Sequence, residues 1–138
     1  MRFIATIAAA LGLAAPAYAY TAINGLTVAP TAQGFEVIAS GGAGPRQIWC
    51  AAGQYAHAAG AGNNDRVAIA RGYGPSQTRP GYRAVGFSLG VGNGPRPGDG
   101  GNYSVSIRTV GFNLGVAHAE SFCADVYDDL TELAPWRR

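Results

Sequence analysis

The run Gln47-Ile48-Trp49-Cys50-Ala51-Ala52-Gly53-Gln54-Tyr55-Ala56-His57-Ala58-Ala59 sets bulky side chains at helical spacing beside one of only two cysteines in the chain. At about 100° per residue, Ile48, Trp49, Ala52, Gly53, Tyr55, Ala56 and Ala59 fall on one broad arc, with Cys50 and His57 together at its edge. An arc that wide has to be covered, so this helix is expected to be the hub on which the remaining elements pack. Gly60 to Asp65 ends it, because Gly and Asn tolerate the left-handed conformation that a helix stop requires.

The compartment bears on how the cysteines behave. Met1-Arg2, an apolar run from Phe3 to Ala15 and the small-residue pattern Pro16-Ala17-Tyr18-Ala19 read as a secretory signal peptide over residues 1–19. That leaves residues 20–138 as one domain with one core. The apolar run is too short for a permanent anchor, and no later stretch is long and apolar enough to span a bilayer. Outside the cytoplasm two cysteines generally pair, so a Cys50–Cys123 disulfide is expected in a periplasmic or extracellular product. Every basic residue is Arg, and loss of Arg2 with the leader lowers a formal charge of only +2. So small an excess argues against nucleic acid or an anionic membrane as the main partner.

Around the hub, two-residue alternation marks strands. Leu26 with Val28 and Phe35 with Val37 flank a turn-rich break and read as a hairpin. Val67 and Ile69 form a third strand. Arg83 to Leu89 and Tyr103 to Arg108 alternate again, and the Gly-rich loop 90–102 between them should join them as an antiparallel pair. From Asn113, a candidate N-cap, to Ala134 the pattern is helical, with Pro135 as the stop. Ala119, Phe122, Cys123, Val126, Leu130 and Leu133 lie on one stripe, and Asp125, Asp128, Asp129 and Glu132 gather opposite. These elements imply an α+β fold: an antiparallel sheet of about five strands, two helices packed on one face and one disulfide. One feature competes with the second helix. Arg83-Ala84-Val85-Gly86-Phe87-Ser88-Leu89-Gly90-Val91 resembles Arg108-Thr109-Val110-Gly111-Phe112-Asn113-Leu114-Gly115-Val116. In a chain rich in Gly and Val, coincidence is the simpler account of two copies. A true repeat would instead make Asn113 to Val116 strand and start the helix later.

No motif of useful chemical specificity emerges. His57 shares a side of its helix with Cys50 but lies roughly 10 Å further along, beyond the reach a general base needs, and a bridged Cys50 offers no thiolate. His118 projects away from Cys123, and no helical metal-ligand spacing includes it or His57. The acids of the last helix read as a solvated face. Gly90 to Gly101 leads into a strand rather than a helix N-terminus and holds no phosphate motif. Neither a metal nor a cofactor is expected.

The remaining candidate is a surface. If the bulky strand positions face the helices, the other parity presents Arg66, Ala68 and Ala70, then Tyr82, Ala84, Gly86 and Ser88, then Ser104, Ser106 and Arg108. Small residues rimmed by Arg and Tyr suit a docking face for a partner protein, an anionic polymer or a second copy, although an antiparallel sheet also commonly shows one side to water. Two functions follow as expectations: an exported, non-enzymatic binding domain, or a small hydrolase or transferase assembled from His57, His118 and nearby acids. A deep pocket holding a histidine and a carboxylate within hydrogen-bond reach favours the enzyme, and a shallow surface favours binding.

Overall fold

A computed structural model describes residues 19–90 and 92–126. Residues 1–18 of the leader expected over residues 1–19, and Leu130, Leu133 and the acids Asp128, Asp129 and Glu132, lie outside the described residues. The fold is α+β. Strands β1 (Tyr20–Thr21), β2 (Thr27–Thr31) and β3 (Gly34–Ala39) lead into helix α1 (Pro45–Ala58). Strands β4 (Arg66–Pro75), β5 (Arg83–Leu89) and β6 (Asn113–Gly115) follow, with helix α2 (Val116–Ser121) last. All six strands form one antiparallel sheet in the order β1-β2-β3-β5-β4-β6. No helix among the described residues is long and apolar enough to cross a membrane.

The alternation in the sequence sets the core. Val28, Phe35, Val37, Val67, Ile69, Val85 and Phe87 are buried and join Ile48, Trp49, Ala52 and Ala56 of α1 in one apolar cluster. Trp49 is the centre. Its ring meets Phe87 at 4.9 Å and Phe112 at 6.0 Å, both edge-on, and its buried Nε1–H donates to the Ser106 carbonyl at 2.8 Å. A wholly buried indole thereby keeps its one donor satisfied.

Two expected elements differ. Tyr103 to Arg108 is not a strand, because both edges of β5 are taken by β3 and β4. The segment is instead shaped by its own side chains. Asn102 Oδ1 accepts the Ser104 amide, and Ser106 Oγ accepts those of Arg108 and Thr109, local bonds that compete with a sheet ladder. The last helix starts at Val116, after Asn113 to Gly115 have paired with β4. Asn113 is a buried hub rather than a cap: its Nδ2 donates to the carbonyls of Gly94, Pro95 and Gly111, and its Oδ1 accepts from Arg66 Nε.

That strand gives the near-repeat a structural meaning. In β4, Val67 pairs with Leu89 on one side and Leu114 on the other, and Ala68 with Ser88 and Asn113. Ile69 pairs with Phe87 and exchanges backbone hydrogen bonds with Gly111 and Phe112. The two copies therefore occupy equivalent places either side of β4, and their phenylalanines converge on Trp49.

The helices are joined by the Cys50–Cys123 disulfide, with Cα atoms 5.0 Å apart, and by a close approach at Gly53. A Cβ there would lie 2.6 Å from the Glu120 amide nitrogen and 2.8 Å from Ala119 Cβ. Gly53→Ala should therefore destabilise. The usual helical gain of about 0.5–1 kcal/mol for Ala over Gly is outweighed by roughly 1–3 kcal/mol of overpacking against backbone that cannot step aside. A urea midpoint equal to or above that of the wild type removes this account of the packing.

Candidate functional site

The sheet face away from the helices is partly roofed by loops, and two buried polar side chains hold them there. Glu36, wholly buried on β3, accepts Arg71 Nη2, Ser76 Oγ and Thr78 Oγ1, each at 2.5 Å, and the amides of Gln77 and Thr78 at 3.1 and 3.0 Å. Burial alone pushes this carboxyl up. The hydrogen bonds from Ser76, Thr78, Gln77 and Arg71 reverse that and hold it at about 2. With five donors satisfied, Glu36 organises the 76–79 loop and has no base to offer. Asn113 performs the same task for the 92–95 loop. Gly94 packs so tightly there that a Cβ would meet the Gly111 carbonyl oxygen at 2.1 Å.

These loops redistribute the residues expected on one flat face. Arg66 lies under the 92–95 loop, bonded to the Asn113 side chain and carbonyl, and burial, then the charge of Arg96, lowers its pKa. Ser88 is half-buried beside Ala68. Ser104, outside the sheet, helps line an open depression of about 400 Å³ with Arg46, Tyr103, Val105 and Phe122. Ser106 has a local structural role: its hydroxyl donates to Thr109 Oγ1 and accepts two amides. Of the six, Tyr82 and Arg108 are exposed side chains that stand near further arginine and tyrosine.

At the end of the sheet where β4 finishes and β5 begins, the sequence concentrates these two residue types. Tyr73 packs its ring against the core. The Arg83 guanidinium carbon stands 5.7 Å from the ring centroid and that of Arg108 5.1 Å from it. Arg83 opens β5, whereas Arg108 adjoins the opposite edge of β4, where the Tyr73 amide donates to the Ile107 carbonyl. Both cations thus stand within reach of one ring, whose quadrupole attracts them. Arg83 and Arg108 are the first residues of the two repeat copies. Alongside, Arg79 lies 5.2 Å from the centre of the Tyr82 ring, and Pro75, Gly81, Tyr82 and Arg83 line a depression of about 220 Å³. Among the described residues, no acid pairs with Arg79, Arg83 or Arg108. Sequence reasoning reached Tyr82 and Arg108 but missed Tyr73, Arg79 and Arg83. The signal was the arginine that heads each copy of the repeat.

The histidines lie elsewhere. His57 Nδ1 is 2.9 Å from Glu120 Oε2, a pair that ties the flanks of α1 and α2. Over half the His57 side chain is exposed. His118 packs at a tilt against Phe122 with ring centres 5.5 Å apart. Among the described residues, no cluster of three His, Cys, Asp or Glu side chains could hold a metal. Compared with protein-family models, with curated proteins and with solved structures, the chain matches none.

Proposed function

We propose that this chain is a small exported, non-enzymatic binding domain that recognises its ligand through the arginine–tyrosine cluster of Tyr73, Tyr82, Arg79, Arg83 and Arg108. One observation carries the reading: the Arg83 and Arg108 guanidiniums are held against Tyr73, yet among the described residues neither donates a side-chain hydrogen bond or meets an acid. A guanidinium has five donors in a planar fork. Positioned forks without acceptors suit a ligand that brings its own, and Arg with Tyr is the composition favoured at recognition surfaces. The leader-like sequence of residues 1–19 and the disulfide support export to an oxidising compartment.

The test compares ligand recovery from the exported fraction by the wild type and by the Arg83→Ser/Arg108→Ser double variant, with thermal unfolding as the check on folding. The wild type should retain a ligand that the folded double variant loses. Equal recovery by both removes the cluster as the recognition surface. The His57–Glu120 pair favours a second reading, a small hydrolase. His57→Ala should abolish hydrolysis on that account while leaving ligand recovery unchanged.

A further inference from the structure

We infer that the cluster takes the carboxylate groups of an acidic polysaccharide, laid along the line from Arg83 across Tyr73 to Arg108. This rests on the cluster being the recognition surface and adds the chemistry of what it recognises. Each guanidinium lies near the tyrosine ring with no side-chain acceptor among the described residues, and its planar fork can engage an oxoanion through two parallel hydrogen bonds. Arg83 and Arg108 belong to segments that lie on opposite sides of β4. Two unpaired cations supplied by different segments suit a ligand that carries more than one negative group. Next to Arg83, the depression lined by Pro75, Gly81 and Tyr82 sets a flat apolar wall beside a charge, and Tyr82 is 46% exposed. That combination fits the C–H face of a sugar ring whose carboxylate reaches the arginine. Single-stranded nucleic acid fits less well. Its bases require open aromatic faces, whereas the Tyr73 and Tyr82 rings each have a guanidinium over them. Each carboxylate contact is exposed and weak, and a repeating polymer compensates by presenting many.

The experiment titrates the isotopically labelled protein, purified as exported, with a galacturonate hexamer and follows its amide resonances. Saturable shifts are expected at Gly72, Gly74, Gly81 and Tyr82. In Arg83→Ser/Arg108→Ser the dissociation constant should rise about tenfold or more while resonances far from the cluster keep their positions. Arg46→Ser, which removes a cation elsewhere, should leave the affinity unchanged, and neutral dextran should cause no shift. Absence of saturable shifts at the cluster overturns the inference, as does affinity indifferent to both arginines or equal loss in Arg46→Ser. So does tighter binding at the same amides by a single-stranded oligonucleotide or by polyglutamate. If the double variant loses the ligand recovered from the exported fraction but galacturonate does not bind the wild type, the polysaccharide assignment falls and the recognition surface stands. If recovery is also unaffected, both fall.

Discussion

Glu36→Gln should lower the stability of the domain by about 3 kcal/mol at neutral pH and remove most of its sensitivity to acid. The wild-type carboxyl is held at about 2 against an ordinary 4.5, a shift equivalent to roughly 3 kcal/mol at about 1.4 kcal/mol per pH unit. The sign follows from proton binding. The unfolded chain takes up a proton near 4.5 and the folded chain only near 2, so the contribution is complete above 4.5 and lost as pH falls from there to about 2. The amide keeps the shape but not the charge. Its NH2 group then faces donors, and Arg71 is left beside a neutral partner. In a domain of ordinary stability, about 5–15 kcal/mol, the loss should lower Tm by well over 10 °C at neutral pH. Urea unfolding across pH 2 to 7 provides the measurement. A variant whose stability still falls by 3 kcal/mol between pH 4.5 and 2 would show that another carboxylate carries the acid response.

Glu36 also shows how far the sequence could be read. In Phe35-Glu36-Val37-Ile38-Ala39 the alternation assigned Phe35 and Val37 to the core, and they are there. A lone acid at the opposite parity reads as a solvent-facing strand residue. The contrary signal was Ile38, which shares that parity and is also buried: the outer face had to be covered. What covers it is the 76–79 loop, whose Ser and Thr carry no periodicity and whose purpose appears only when five donors meet one carboxylate. The hairpin, the hub helix, the disulfide and the strands β4 and β5 were legible because each has its own period or compartment logic. Tyr103, Val105 and Ile107 alternate just as well, yet Tyr103 is 80% exposed and the segment joins no sheet. Alternation tells which side chains are apolar, not whether a neighbouring strand has an edge free. Asn113 was ambiguous for a related reason: the same side chain can cap a helix or anchor a loop, and the fold decides which groups come within its reach.

The repeat carries the clearest lesson about the site. Read along the chain, a short pattern in two copies is hard to distinguish from compositional chance. Placed either side of β4, the same residues act in pairs: Phe87 and Phe112 on Trp49, Arg83 and Arg108 on Tyr73. The first pair lies in the core and the second at the surface. Tyr73 lies outside both copies, on the strand between them, so the repeat does not mark it.

Removing the disulfide in Cys50→Ala/Cys123→Ala should cost about 4 kcal/mol, the chain-entropy value for a loop closed across 73 residues. The loss should first appear locally. Helix α2 has six residues, too few to persist without tertiary support. It is held to α1 by the bridge, the Gly53 contact and the His57–Glu120 pair. Without the bridge, amides of residues 116–126 should exchange with solvent well before those of β3, β4 and β5, whose pairing does not involve the bridge. Glu36 lies on the opposite side of the sheet from the helices, so its contribution and that of the disulfide should add. The triple variant should then lose roughly 7 kcal/mol, enough to unfold a domain near the lower end of the usual stability range. Urea unfolding of the four forms tests this. A cysteine-free protein within 1 kcal/mol of the wild type would mean that its unfolded chain is already compact enough for the bridge to remove little freedom. Additivity also predicts a compartment dependence: the reduced protein at neutral pH relies on the Glu36 network, the oxidised protein in acid relies on the bridge, and only loss of both leaves the sheet without either support.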